Sequence, residues 1–277
     1  MRTLAYEVWD VFTAKPLTGN QLGVFLNGRG LSDQEMFSLA RELNFSESVF
    51  LFGQTPKGHR VRIFTATEEL PFAGHPSLGA AAAIRQRIHE QRIVLDLNAG
   101  PIPVEFDETG YGEMQQAEPV FAETYQKSEI ARWIGVSPDD ITDHPLESVS
   151  TGRPNIIVGL KTLKAIRAVK MDWAAIGARA FYLLSLETEN PKARAHARKL
   201  TPRLEDPATG SAAGCAAAWM VKHGIAKSQE RVLIEQGSEV KRPGELYVSA
   251  RNDGGKITGV RVGGHAVRVM AGELTLP

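Results

Sequence analysis

Short runs of alternating apolar and polar residues dominate this chain, and helical periodicity is confined to a few stretches. Residues 4–12, "LAYEVWDVF", and 22–26, "LGVFL", read as strands on either side of the Gly-containing turn "LTGN". Further strand patterns stand at "SVFLF", "HRVRIFTA", "RIVLDL" and "IPVEF" in the first half. The second half adds "NIIVGL", "AIRAVK", "AFYLLSL", "RVLIEQG", "GELYVSA", "ITGVRVGG" and "AVRVMAGELTL". The clearest helix is "LSDQEMFSLARELNF". Ser32 is its N-cap, Glu35 completes a capping box, Leu31 and Met36 form a hydrophobic staple, and Met36, Leu39, Ala40 and Leu43 share one face. A second helix, "GHPSLGAAAAIRQR", carries Pro76 in its first turn and Arg85 and Arg87 in its last. "SEIARWIG" is a third, and "GSAAGCAAAWMVKHG", ending on Lys222, His223 and Gly224, is a fourth. Strands outnumber helices and lack the one-strand-one-helix rhythm of a doubly wound sheet, so the fold class is α+β.

Two of these segments echo one another. "FAGHPSLGAAAAI" at 72–84 and "PATGSAAGCAAAW" at 207–219 align without gaps at an offset of 135, sharing Ala73/Ala208, Gly79/Gly214 and the alanines 81–83/216–218. Upstream, "LTGNQLGVFL" is answered by "STGRPNIIVGL". Two similar halves are implied, each with one slim helix. Such a helix can pass through the middle of a curled sheet, where small residues are needed on every side.

Composition narrows the partners. Over 277 residues Lys plus Arg and Asp plus Glu are 32 each, with no block of like charge, so neither nucleic acid nor an anionic membrane surface is indicated. The start of the chain is strand-like and no apolar run is long enough to span a bilayer, which predicts a soluble protein. A single cysteine cannot form an internal disulfide, and no Cys/His spacing resembles a metal site, so a reducing cytoplasm and no metal are expected.

The candidate chemistry gathers at the two helix starts and one acid. Uncapped helix N-termini bind carboxylates through backbone N–H groups and partial positive charge. Asp206, Thr209 and Ser211 open the second slim helix, and His75 and Ser77 the first; Asp206, Thr209 and Ser211 read either as helix caps or as part of an anion grip, and His75 either as a structural histidine or as a site residue. His75 is held at a turn by Pro76. Glu47, in "NFSESVFLF", lies between an amphipathic helix and an apolar strand. It is either an ordinary strand-edge charge or a carboxyl whose burial would tune it for proton transfer. Cys215 is one turn inside a run of small residues, an address for a packing thiol and not for a thiolate nucleophile.

Together, "DVFTAKPLTGNQLGVF", "ELNFSESVF", "ELPFAGHPSLGAAAAI", "GPIPVEF", "STGRPNIIV", "EDPATGSAAG" and "IEQGSEVKRPGELYV" resemble the PhzF-like family, named for the isomerase of phenazine biosynthesis. The likeness spans nearly the whole chain and implies a diaminopimelate epimerase-like fold. Two pseudo-symmetric lobes would each wrap a barrel-like mixed sheet around a central helix. Residues 1–115 with the returning 265–277 would form one, residues 116–264 the other, and the active site would lie in the cleft between them. By the same resemblance the catalytic set is Glu47, His75, Asp206 and Ser211, and the substrate contacts are Asn20, Gly74, His75, Thr209, Gly210 and Ser211. The implied activity is isomerisation of a small carboxylate-bearing metabolite without metal or organic cofactor, with Glu47 as general acid/base; a homodimer is implied too. Gln21 stands where many members have proline, and "ARKLTPRLEDP" is short against the family pattern, so the rim of the site is expected to differ. Two-thiol racemisation is excluded because neither helix-start turn contains cysteine. Alternatives in keeping with the residues are a one-base epimerase or tautomerase, and a binding protein that retains the fold without turnover. A thiol enzyme would need Cys215.

Overall fold

The computed structural model describes residues 2–202 and 204–276, and the chain divides into two compact units, Met1–Gln115 with Gly263–Pro277, and Gln116–Val262. In the first unit β1 (Arg2–Val11) is flanked on one side by β2 (Asn20–Phe25). On the other side lies the chain's last strand, Ala266–Leu276, antiparallel to β1 from Arg2↔Leu276 to Val11↔Ala266. Helix α1 (Asp33–Leu43) starts at the expected capping box: the Ser32 hydroxyl accepts the Glu35 N–H and the Glu35 carboxylate accepts the Ser32 N–H. Leu31 and Met36 join the apolar cluster under it, where Phe25 and Phe50 stack at 4.5 Å. The chain returns as β3 (Ser48–Thr55), parallel to β2, and turns back as β4 (Gly58–Phe64) and the short β5 (Glu69–Leu70). Helix α2 (Gly74–Ile88) then leads to β6 (Arg92–Leu97), parallel to β4, followed by β7 (Gly100–Phe106) and β8 (Gly112–Gln115).

Helix α2 is buried without interruption from Gly74 to Ala81, and it packs on β1, β2, β3, β6, β8 and the last strand. Its small residues make that possible. A methyl on Gly79 would stand 2.5 Å from Leu22 Cδ2 and 2.8 Å from Val11 Cγ2, closer than carbon atoms approach.

The second unit repeats the scheme. It comprises β9 (Val120–Tyr125), α3 (Lys127–Ile134), β10 (Leu146–Ser150), β11 (Pro154–Leu160), α4 (Leu163–Ala168), α5 (Trp173–Ile176), β12 (Phe181–Ser185), β13 (Ala195–Leu200), β14 (Glu205–Asp206), α6 (Gly210–Lys222), β15 (Val232–Gln236), β16 (Gly244–Asp253) and β17 (Lys256–Gly264). Among the described residues each unit has parallel strand pairs among antiparallel ones: β2 with β3 and β4 with β6 in the first, β11 with β12 and β13 with β15 in the second. Parallel neighbours need a crossover. In both units a buried, alanine-rich helix, α2 or α6, lies in the connection of the second pair. Helix α6 is buried from Ala212 to Val221 and packs on β10, β11, β12 and β16.

One expected strand is a helix. "AIRAVK" alternates like a strand, yet residues 163–168 form α4, because the Thr162 hydroxyl caps the Ala165 N–H and Ala165 and Ile166 turn inward together. Six strands lie outside the sequence expectations altogether: β5, β8, β9, β10, β13 and β14.

Candidate active site

Glu47 follows the left-handed C-cap of α1, Asn44 (φ 53°), and immediately precedes β3, so the end of a helix and the start of a buried strand fix its position. Its side chain is 19% exposed, and its Oε2 lies 3.7 Å from His75 Nε2. His75 is the second residue of α2 and is buried. Burial pulls its pKa down to about 3, against a backbone hydrogen bond with Gln21 that works the other way, so the ring is neutral at physiological pH. The Glu47–His75 approach is therefore a carboxyl beside a neutral imidazole and not an ion pair. Asn20, at the start of β2, brings its side-chain amide to 3.4 Å from His75 Nδ1. Gln21, noted as a departure from proline, thus uses its backbone to hold His75. Ser48 is buried and its hydroxyl makes no hydrogen bond among the described residues.

No side chain caps α2 at Ala73, and Ser77 directs its hydroxyl to the Ala73 carbonyl at 2.7 Å. Pro76 has no N–H, so the amides of Gly74 and His75 are those left without an intrahelical acceptor.

In the second unit α6 is also uncapped by a side chain. The Thr209 hydroxyl donates to the Asp206 carboxylate instead. Gln236, from β15, organises this turn: its Nε2 donates to the Asp206 carbonyl (2.7 Å) and to Thr209 Oγ1 (3.1 Å), while its Oε1 accepts from Tyr182 OH at 2.9 Å. The same Oε1 accepts the Thr209 N–H at 3.2 Å, so Thr209, expected to offer that amide to a substrate, is already engaged. The amides of Gly210, Ser211 and Ala212, the first three of α6, have no intrahelical acceptor. The Ser211 hydroxyl makes no hydrogen bond among the described residues, and Ser211 is half-buried. Behind it, Gln116 donates to the Gly210 carbonyl at 3.0 Å, and its Oε1 takes the place that a side chain on Gly214 would fill.

Cys215 is fully buried, and burial pushes its thiol pKa up despite the Thr151 hydroxyl 3.5 Å away. It is a packing residue. Sequence patterns gave no sign of Lys199, Asn155, Tyr182, Gln116 or Gln236. Lys199 is buried on β13 with its ammonium on Asn155 Oδ1, and burial lowers its pKa to about 8. Arg203, inside the short stretch "ARKLTPRLEDP", lies outside the described residues.

Glu189, His196 and Glu235 bring ligand-type atoms within 4.8 Å of one another, as a cation site would. This cluster carries its own cation. Arg167 pairs with Glu189 and Glu239, and although burial disfavours charge on His196, bonds to Glu239 and Glu235 outweigh it and raise its pKa.

Residues 9–272 match a family model described as PhzC-PhzF, phenazine biosynthesis-like protein. An uncharacterized isomerase of Mesorhizobium japonicum is 35% identical, over 99% of both chains. The trans-2,3-dihydro-3-hydroxyanthranilate isomerase of Pseudomonas aeruginosa is 32% identical, over 98% of this chain and 99% of its own. Among solved structures, a PhzF-family phenazine biosynthesis protein of Bacillus anthracis superposes over 100% of both chains with a TM-score of 0.91 at 27% identity.

Proposed function

We propose that this chain, which belongs to the phenazine biosynthesis-like PhzC-PhzF family and is an isomerase, moves a proton between carbons of a small carboxylate-bearing metabolite, with Glu47 as the acid/base. The observation that carries the reading is the approach of the Glu47 carboxyl to the neutral His75 ring at 3.7 Å. A proton removed from carbon can rest on Glu47 and be returned to a second carbon by the same group, which is isomerisation with one base. Because His75 is uncharged, it does not lock Glu47 in a tight ion pair. It acts as a hydrogen-bonding wall, held from behind by Gln21 and Asn20. The open amides of Gly210, Ser211 and Ala212 and the Ser211 hydroxyl take the substrate carboxylate, and Asp206 with Thr209 orients its remaining polar groups. No step requires a metal or an organic cofactor.

Deuterium uptake from D2O into trans-2,3-dihydro-3-hydroxyanthranilate, the compound in a relative's name, tests this reading. The expected label lies at a carbon other than the one that lost its proton, and Glu47→Gln slows turnover by roughly 10²–10⁴ with the fold intact. Unchanged turnover in that variant removes Glu47 from the chemistry. Label confined to the carbon that lost its proton makes the protein a one-base epimerase.

A further inference from the structure

A cavity of about 470 Å³ lies in the first unit at the C-terminal end of α2, walled by that end, β1, the end of β7 and the chain's last strand. Arg85, on its wall, stands ten residues past His75, or about 15 Å along the helix axis, so the cavity is separate from the Glu47–His75 approach. Trp9, Ala82, Phe106 and Val267 give it apolar surface, and Arg85 and Arg268 give it charge. No carboxylate lines it among the described residues.

Positive charge is in excess there. The Arg85 guanidinium lies 5.2 Å from the centre of the Phe106 ring and donates through one Nη to the Asp107 carbonyl at 3.2 Å. Asp107 turns its carboxylate elsewhere, to Thr109 and the Tyr111 N–H. Among the described residues no carboxylate pairs with Arg85, and its buried Nε has no hydrogen-bond partner. Arg268 shares the buried Glu7 carboxylate with Arg87: both donate to Glu7 Oε1, at 2.8 and 2.9 Å, while Trp9 Nε1 donates to Oε2. Two guanidiniums on one carboxylate leave one positive charge over, and Arg85 adds a second. Neither can be shed by deprotonation, because a guanidinium stays charged in proteins. A half-buried arginine laid on an aromatic ring beside open space, with no acid of its own, is a fork for a carboxylate from outside the chain. We propose that this cavity binds a small carboxylate carried on a flat apolar body, the carboxylate on Arg85 with Arg268 adding charge, and the apolar body against Trp9, Ala82 and Val267. It is a second binding site, and it does not depend on the chemistry proposed at Glu47.

Trp9 reports from the cavity wall. Its indole N–H resonance, assigned by its absence from Trp9→Phe, is followed while the full chain is titrated with benzoate. A saturable shift is expected, and an unmoved resonance overturns the proposal. Arg85→Gln keeps a polar side chain and removes the charge, and it is expected to weaken benzoate binding about tenfold. Ala82→Leu fills the cavity from its wall and leaves every charge in place, and it is expected to abolish the shift. A response unchanged in either variant overturns the proposal, since benzoate held only at the start of α6 would survive both. Should Arg85→Gln fail to fold, Ala82→Leu decides. Two further probes separate charge from shape. Benzamide, which lacks the charge, and acetate, which lacks the ring, are each expected to bind about tenfold more weakly than benzoate. Benzamide as tight as benzoate overturns the assignment to an anion, and acetate as tight overturns the apolar body.

Discussion

His75 is buried and uncharged beside a carboxyl, and that combination has a thermodynamic signature. Its pKa is about 3 in the folded protein and near 6.5 when unfolded, so between those values the unfolded chain binds a proton that the folded chain does not. The contribution of His75 is fully present above pH 6.5 and is lost as the pH falls, at about 1.4 kcal/mol per unit. Urea unfolding from pH 7 down to 4.5 should show this slope in wild type, and less of it by that amount in His75→Gln. Cys215 gives the opposite kind of expectation. With its thiol pKa pushed up by burial, it should resist thiol reagents until the protein unfolds, and Cys215→Ala should cost about 1 kcal/mol of stability and leave turnover unchanged. Labelling kinetics and a rate assay check both. At this scale the sequence singles out side chains and not their partners. Glu47, His75, Asp206 and Ser211 could be singled out from turns and motifs. The Gln236 side chain that occupies the Thr209 amide is 27 residues away and belongs to an apolar-looking strand, so no local pattern announces it.

Among the elements, the two slim helices are the most constrained. Gly79→Ala gains about 1 kcal/mol of helix propensity but forces a methyl against Leu22 and Val11, an overpacking cost of about 1–3 kcal/mol. The net expectation is a lower Tm with the same helical circular dichroism. Gly214→Ala should also be destabilising, because the methyl displaces Gln116 from the first turn of α6. These helices were legible because Gly and Ala runs recur in register. Strand β13 was not, since "AHARKL" carries three cationic residue types and reads as a solvated surface. In the folded protein His196, Arg198 and Lys199 are all buried, each satisfied by a residue distant in sequence or in another strand: Glu235 and Glu239, Glu205, and Asn155. Burial was decided by the partners, and single-strand alternation cannot see them. Helix α4 was misread for a related reason, since six residues satisfy either period and the cap at Thr162 decides.

The whole molecule is α+β, as the surplus of strands indicated, and the family match over residues 9–272 agrees with the motifs spread along it. In each unit the second parallel pair is joined through a buried helix, which is the structural counterpart of the echo between 72–84 and 207–219. The last strand is integral to the first unit because it pairs with β1 along its entire length. Ending the chain at residue 265 should therefore leave β1 with an open edge and give an aggregating product, read by size-exclusion chromatography against full-length protein.

The return of that strand also bears on how the protein is made. On the ribosome β1 emerges before the second unit, yet one of the two strands that pair with it, Ala266–Leu276, follows that unit. The second unit, Gln116–Val262, is one continuous stretch and is complete before that final strand leaves the exit tunnel. The first unit is thus begun before the second and completed after it, and Glu47 and His75 acquire their finished surroundings only once Ala266–Leu276 has joined β1.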